Sequence, residues 1–158
     1  MNTYLIVKWL HILSSVLMVG TGFGSAFYMF FANRSGSVAA QAVVSRLVVR
    51  ADWWFTTPAV IVQPLSGLWL VQQAGWSLSS PWLMLTLGLY ALAGICWVPV
   101  VLLQLDMARM AQTAVAEQTA LPAAYWQKAA MWERLGYPAF LAMLGVYFLM
   151  VYKPTLWG

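Results

Sequence analysis

Four long apolar segments, almost free of charged residues, constrain the fold of this chain more than any other feature. They run over about residues 4–31, 53–71, 82–105 and 131–152. A helix needs about 20 apolar residues to cross the hydrocarbon core, and each segment is near or above that length. We therefore predict an all-α fold, an integral membrane four-helix bundle that forms a single transmembrane domain over residues 1–158.

The composition agrees with a lipid environment. Charged residues make up 8% of the chain, whereas the surface of a soluble domain requires about a quarter. Ten tryptophans and seven tyrosines suit helix ends, where amphipathic rings lie among lipid headgroups. The net charge of +4 comes from basic residues near the ends of the apolar segments. We therefore expect the lipid bilayer as the surrounding partner and no nucleic acid.

The basic residues also predict the orientation of the bundle. The first and third connections carry six of the eight lysines and arginines: Arg34, Arg46, Arg50, Arg109, Lys128 and Arg134. The second connection, residues 72–80, carries no charge. In a four-span protein the first and third connections share one side, and the positive-inside rule makes that side cytoplasmic. Both termini are then expected on the outer, periplasmic side.

The cytoplasmic connections are predicted to be partly helical. Ser37 is a candidate N-cap, and no helix breaker follows it, so the second helix is expected to begin near Val38. The third helix is expected to continue beyond the membrane until Pro122. These patterns predict short cytoplasmic helical extensions of the bundle.

The only histidine of the chain, His11, lies inside the first apolar segment. Ser15 at i+4 and Gly22 at i+11 extend the same helix face. This face suits two mechanisms, which the sequence leaves open. His11 is a candidate axial ligand for a haem or porphyrin that lies on a smooth glycine wall. Alternatively, Gly20 and Gly24 allow another helix to approach closely, and His11 forms a hydrogen bond across the bundle.

The second apolar segment contains Pro58 and Pro64, and each removes a backbone donor from the helix. Gln63 lies deep enough in the segment to face the bundle interior. This pattern is typical of a pocket and equally of simple packing. The chain has one histidine and one cysteine, which excludes metal motifs that need several such ligands. No acidic residue lies in the middle of a segment, which argues against an ion-coupled pump.

Three segments resemble the HemJ-type protoporphyrinogen IX oxidases, which are small bacterial membrane proteins. "KWLHI" and the glycine-rich stretch after it resemble their first helix. "RADWWFTTPAVIVQPLSGLWL", which begins at Arg50, resembles their second helix, and "YPAFLAMLGVYFLMVYKP" resembles their last. The chain is similar to these oxidases over about two-thirds of its length. We identify it as a member of a related small four-helix bacterial membrane family of unknown function.

The resemblance implies a cofactor site. In the oxidases the first-helix histidine is implicated in haem binding, and here it matches His11, while the basic residue before the T-P-A motif matches Arg50. The candidate cofactor-binding residues are His11, Ser15, Gly22, Arg50 and Gln63, with His11 as the ligand of haem iron and haem b as the cofactor. The oxidases have a lysine near the outer start of the third helix, where this chain has Pro81 and Trp82. The resemblance therefore implies porphyrin or haem binding more than the oxidase reaction.

These observations favour two functions over a third, a small-solute channel or transporter, against which the near absence of charges in the middle of the spans argues. The first is a protein of the bacterial inner membrane that binds haem or porphyrin and has a redox role; as an enzyme it would be a membrane oxidoreductase. The second is a non-catalytic membrane subunit or scaffold that packs against a larger membrane complex. A homodimer is a further expected assembly, because a second copy of His11 could supply the other axial ligand.

Overall fold

A computed structural model describes residues 2–154 of the chain. Four long helices account for nearly all of them: α1 (Thr3–Arg34), α2 (Val38–Gln73), α3 (Pro81–Ala116) and α4 (Ala123–Tyr152). Each helix is long and apolar enough to cross a membrane, and each predicted span lies within one of them. The predicted all-α membrane bundle is therefore confirmed.

Three of the helices begin at residues that suit the start of a helix. In α1 and α2 a side chain accepts a hydrogen bond from an N–H group of the first turn, and α3 begins with a proline. The Asn2 side chain accepts a hydrogen bond from the Tyr4 N–H at 3.0 Å and caps α1. Ser37 accepts one from the Ala40 N–H at 3.2 Å, which confirms Ser37 as the cap of α2. Pro81 is the first residue of α3, where its missing N–H removes nothing from the helix.

The third helix continues past its predicted span, as expected, but ends at Ala116 and not at Pro122. The expectation was wrong because the chain turns earlier. Gln118 adopts a left-handed conformation with a φ of 55°. The Thr119 N–H then bonds back to the Ala114 carbonyl at 2.9 Å. This arrangement satisfies carbonyls of the last turn, so no proline is needed to stop the helix.

A single π-helical turn, Asp52–Thr56, interrupts α2. Its wide hydrogen bond runs from the Thr57 N–H to the Asp52 carbonyl. Pro58 follows at once, and a proline in a regular helix would clash with the carbonyl four residues before it, that of Trp54. The wider turn relieves that clash at Pro58, whereas Pro64, Pro99 and Pro138 lie inside α-helical stretches without a π turn.

The four helices pack in chain order, with one weak seam. α3 and α4 lie against each other extensively, while the first half of α2, Val38–Ala51, packs on both α3 and α1. After the π turn the second half of α2, Thr57–Gln73, lies mainly against α1. α1 and α4 have the least extensive interface among the neighbouring helices. The bundle therefore leaves room between α1 and α4.

The two basic connections lie together at one end of the bundle, which we call the connection end. α1 leads into α2 there, and α3 leads into α4. The Tyr125 hydroxyl donates a hydrogen bond of 2.6 Å to Asn33 Oδ1 across this end, and both residues are buried. Arg34 forms an ion pair with Glu133 at 3.0 Å. These contacts confirm that the first and third connections share one side, and the assignment of that side to the cytoplasm stays a prediction.

Replacement of Tyr125 by Phe tests this polar contact. The variant keeps the aromatic ring but removes the hydroxyl that donates a hydrogen bond to Asn33 Oδ1. Both polar atoms of the Asn33 side chain then lack a partner, because Nδ2 has none among the described residues. We expect the free energy of unfolding to fall by about 1–3 kcal/mol. Denaturant titration in mixed micelles measures this change. Tyr28→Phe is the matched control, because Tyr28 is exposed, and an equal loss in both variants would contradict the assignment.

Candidate functional site

A cavity of about 430 Å³ lies between the four helices, in the half of the bundle nearer the connection end. α1 contributes residues between 18 and 31, and α3 contributes residues between 90 and 104. α4 contributes residues between 132 and 143, and α2 contributes three residues around its π turn. Cavities of this size hold drug-sized small molecules in other proteins.

The walls of the cavity are apolar and rich in aromatic rings. The aromatic lining residues are Phe23, Phe27, Phe30, Phe31, Tyr90, Trp97, Trp132, Tyr137 and Phe140. Small residues on three helices, among them Gly22, Gly94 and Gly136, leave the space that these rings surround. A Cβ atom added at any of these three glycines would meet nothing within 4 Å. The lining therefore suits a bulky apolar molecule.

The connection end of the cavity is polar. Asp52, only 4% exposed, accepts a hydrogen bond of 2.8 Å from the Thr56 hydroxyl, and Gln104 lies beside its carboxyl group. Gln104 Oε1 and the indole Nε1 of Trp132 have no hydrogen-bond partner among the described residues, although both side chains are more than nine-tenths buried. Buried polar groups are nearly always paired, so these two groups beside one cavity have the capacity to pair with a polar group of a ligand.

The π turn is what brings Asp52 and Thr56 to this cavity. Both residues belong to the turn, and both side chains are buried on the bundle side of α2. Single π turns within α-helices occur frequently at functional sites. Asp52 is not among the site residues that the sequence predicted. An acidic residue at the entry of an apolar segment, six residues before Pro58, was the available signal.

The mouth of the cavity lies at the weak seam between α1 and α4. The rings of Phe23 and Phe140 stack across this seam with centroids 5.2 Å apart. At the connection end the Arg34 guanidinium pairs with Glu133 and also lies 3.3 Å from the centroid of the Phe30 ring. Phe27 is 51% exposed although it lines the cavity, so this side of the wall faces the surrounding lipid.

His11 lies outside this cavity, in a polar cluster between α1 and α2. The Ser66 hydroxyl lies 2.6 Å from the Val62 carbonyl and donates its proton there. Ser66 Oγ, 2.9 Å from His11 Nδ1, must then accept a hydrogen bond from an Nδ1–H. His11 Nε2 accepts from the Gln63 amide at 3.2 Å. Both ring nitrogens are therefore satisfied within the chain, with the neutral Nδ1–H tautomer assigned from the network.

The candidate residues from the sequence do not form one site. His11 and Gln63 are in contact, but Ser15 bonds to its own helix, and its backbone carbonyl accepts a hydrogen bond of 2.9 Å from Tyr147. Gly22 lines the cavity away from His11, and Arg50 is exposed and lines neither cluster. The predicted common face of α1 is therefore divided among three environments.

The glycines of α1 do not serve as a close contact within the chain. A Cβ atom at Gly20 or Gly24 would meet nothing within 4 Å. Close packing occurs instead at Gly67 of α2, where a Cβ atom would lie 3.0 Å from His11 Cε1. His11 thus forms the hydrogen bond across the bundle that one of the two sequence hypotheses expected, but Gly67 and not Gly20 or Gly24 admits it.

A haem iron at His11 would need a change in this cluster. The Nδ1–H bond to Ser66 fixes the orientation of the imidazole, as a hydrogen bond to the other ring nitrogen does for histidines that bind metals. However, Nε2 faces the Gln63 amide, so a metal could bind there only after Gln63 had moved away. Among residues 2–154, no group of three His, Cys, Asp or Glu side chains could hold a metal ion.

The hydrogen-bond network predicts the protonation of His11 directly. Protein labelled with ¹⁵N-histidine and purified without a polyhistidine tag gives signals from one imidazole only, because the chain has one histidine. We expect the spectrum of a neutral ring with the proton on Nδ1. Ser66→Ala should weaken this preference, because only the Gln63 amide then favours the Nδ1–H form, whereas Ser79→Ala in the exposed second connection should leave it unchanged. A proton on Nε2 in the unaltered protein would contradict the network.

Comparison with known proteins places this architecture in a family. No curated protein and no solved structure matches the chain. The family described as "Predicted integral membrane protein (DUF2269)" matches residues 5–154, which include all four helices except the first two residues of α1. The match covers nearly the whole chain, and this protein belongs to the DUF2269 family of integral membrane proteins.

Proposed function

We propose that this protein binds a membrane-soluble amphiphile in the cavity between its four helices. The observation that carries the proposal is the division of the cavity into an aromatic, apolar wall and one polar end with unpaired groups. An amphiphile has the same division. Its apolar body would displace lipid or empty space from the wall, and its polar group would pair with the groups near Asp52.

The seam between α1 and α4 supplies a route to this cavity from the bilayer. An amphiphile dissolved in the membrane already has its apolar body at the depth of the wall. Phe27 and Phe31 are more than half exposed at this side, and the Phe23–Phe140 stack is a contact between side chains that can rotate. Entry therefore requires movement of aromatic side chains and leaves the extensive α3–α4 interface intact.

The proposed activity is binding and release, as in a carrier or a protein that presents a lipid-soluble molecule to a partner. The polar end offers a carboxyl group, a carboxamide oxygen and an indole N–H, which are groups that orient a ligand. Orientation by a few polar groups in an apolar pocket is the general pattern of small-molecule sites.

Filling the cavity tests this proposal. Gly94 lines the cavity, and a side chain there meets open space, so Gly94→Leu should occupy the ligand's volume without disturbing the helix contacts. Gly88→Leu is the matched control, because Gly88 lies on the same helix, also faces open space and does not line the cavity. We expect solvent extraction and mass spectrometry to find a co-purified amphiphile with the unaltered protein and Gly88→Leu, and at least about tenfold less with Gly94→Leu.

Identical extracts from all three proteins would contradict the proposal, because the recovered molecules would then be surface lipid. If the extracts are identical and a larger membrane complex co-purifies, the non-catalytic subunit or scaffold is favoured instead.

A second candidate function is haem or porphyrin binding with a redox role, as the resemblance to the HemJ-type oxidases implies. The orientation of His11 by Ser66 supports it, since the remaining nitrogen, Nε2, is the one that a metal would take. When bound, a haem would supply electron transfer. The residues of the chain would supply the ligand nitrogen and, after rotation of Gln63, the space beside it.

Absorption spectra before and after dithionite reduction test this second candidate. It predicts a haem spectrum that disappears in His11→Ala and persists in Gly94→Leu, because His11 and the cavity are separate. A colourless protein that takes up no added haem excludes it. Loss of the spectrum in Gly94→Leu but not in His11→Ala would show that a pigment binds in the cavity and that His11 is not its ligand.

A further inference from the structure

We infer that the ligand of the cavity is an amphiphilic organic cation, whose protonated amine binds at Asp52. This inference rests on the proposed binding function and names the class of molecule that the polar end selects. It follows from the charge of the lining, from the unpaired acceptor beside Asp52, and from the aromatic rings that surround both.

The residues that line the cavity include acidic side chains but no basic side chain. Asp52 and Glu133 are among the lining residues, while none of the lining residues is Lys, Arg or His. Glu133 is already neutralised, because Arg34 holds both of its carboxylate oxygens, at 3.0 and 3.3 Å. Asp52 forms no ion pair with any residue in the described range 2–154. The one uncompensated acidic group of the cavity is therefore Asp52.

A buried carboxylate without a counter-ion is costly, and a cation that enters the site removes much of that cost. The hydrogen bonds to Asp52 come from neutral side chains, those of Thr56 and Gln104, so the charge of the carboxylate has no counter-ion. A carboxylate or phosphate headgroup would instead bring a second negative charge to a site with low exposure to water. The charge of the site therefore favours a positive headgroup over a negative one.

The unpaired acceptor beside Asp52 indicates that the positive group carries N–H donors. Gln104 Oε1 is buried and has no partner, and the Gln104 side chain lies beside the Asp52 carboxyl group. A primary ammonium has three donors and can serve Asp52 and Gln104 together. A single hydroxyl has one donor and can serve only one of them. The indole N–H of Trp132, the unpaired donor at this end, suits an acceptor atom near the amine.

The aromatic wall adds a second attraction for a cation. Trp97 and Trp132 line the same cavity as Asp52, and an indole face attracts an organic cation more strongly than other aromatic side chains do. Arg34 already uses the ring of Phe30 in this way at the mouth of the cavity, with 3.3 Å to the centroid. The combination of a carboxylate with indole rings favours an amine attached to an apolar body.

Three fluorescent probes that differ only in their headgroup test the inference. Pyrene on a four-carbon chain is used with a primary ammonium, a hydroxyl or a carboxylate, in nanodiscs of neutral phosphatidylcholine at pH 7. Discs that contain Gly94→Leu measure the partition of each probe into lipid and scaffold, and this background is subtracted. We expect the ammonium probe to bind at least about tenfold more tightly than the hydroxyl probe, and the carboxylate probe to bind most weakly.

Amino-acid substitutions test whether the preference for the ammonium probe depends on the polar end of the cavity. Asp52→Asn should bring the ammonium probe to the affinity of the hydroxyl probe, while the hydroxyl probe keeps its own affinity. Asp106→Asn is the matched control, because Asp106 pairs with Arg109 and Lys128 and does not line the cavity. If Asp52→Asn fails to fold, Gln104→Met, which removes the carboxamide and with it the unpaired acceptor, should reduce the preference for ammonium by at least about threefold.

The outcomes separate this inference from the proposed function. Equal binding of the three probes, or tightest binding of the hydroxyl or carboxylate probe, overturns the inference and leaves amphiphile binding in place. An unchanged ammonium preference in Asp52→Asn also overturns it. If no probe binds above the Gly94→Leu background, and the extraction experiment also finds no co-purified amphiphile, the proposed function fails and the inference fails with it.

Discussion

Hydrogen bonding of the backbone in a medium without water is the constraint on which the rest of this structure depends. Lipid offers no partner to a peptide group, so the spanning segments must be helical throughout. In α2 the pattern of backbone hydrogen bonds widens into one π turn just before Pro58. The turn presents Asp52 and Thr56 to the bundle interior, and beyond it α2 lies mainly against α1. This turn thus positions two of the polar residues at the connection end of the cavity.

The two polar clusters of the bundle differ in how completely their groups are paired. Around His11, serine and glutamine side chains satisfy both ring nitrogens, and Gly67 lets α2 approach the ring closely. Around Asp52, an amide oxygen and an indole N–H remain unpaired beside an open cavity. A satisfied network holds two helices in register, whereas an incompletely satisfied one has capacity for a ligand. This contrast places the candidate site at Asp52 and assigns His11 a structural contact in this arrangement.

Much of the architecture could be predicted from local patterns. The four apolar segments, the Ser37 cap and the grouping of Arg34 with the third connection all follow from length, capping and charge, and each is found in the structure. The candidate site could not be predicted in the same way. The helical periodicity of α1 predicted that Ser15 and Gly22 lie on the same face as His11. In the structure these residues meet different neighbours. The neighbours of each turn of α1 depend on how α2 and α4 pack against it, and the sequence of α1 does not contain that information.

The sequence by itself determined that this chain is a four-helix membrane protein, because the solvent of each segment depends on its own composition and length. It also determined which connections lie together, since four antiparallel spans allow only one arrangement of their ends. Only the tertiary structure decided that α1 and α4 share only a small interface, that Asp52 of α2 meets Gln104 of α3, and that His11 faces Gln63. The cavity exists because the side chains of four helices together do not fill the space between them. Its position depends on how the helices pack, and the sequence pattern of one helix does not predict it.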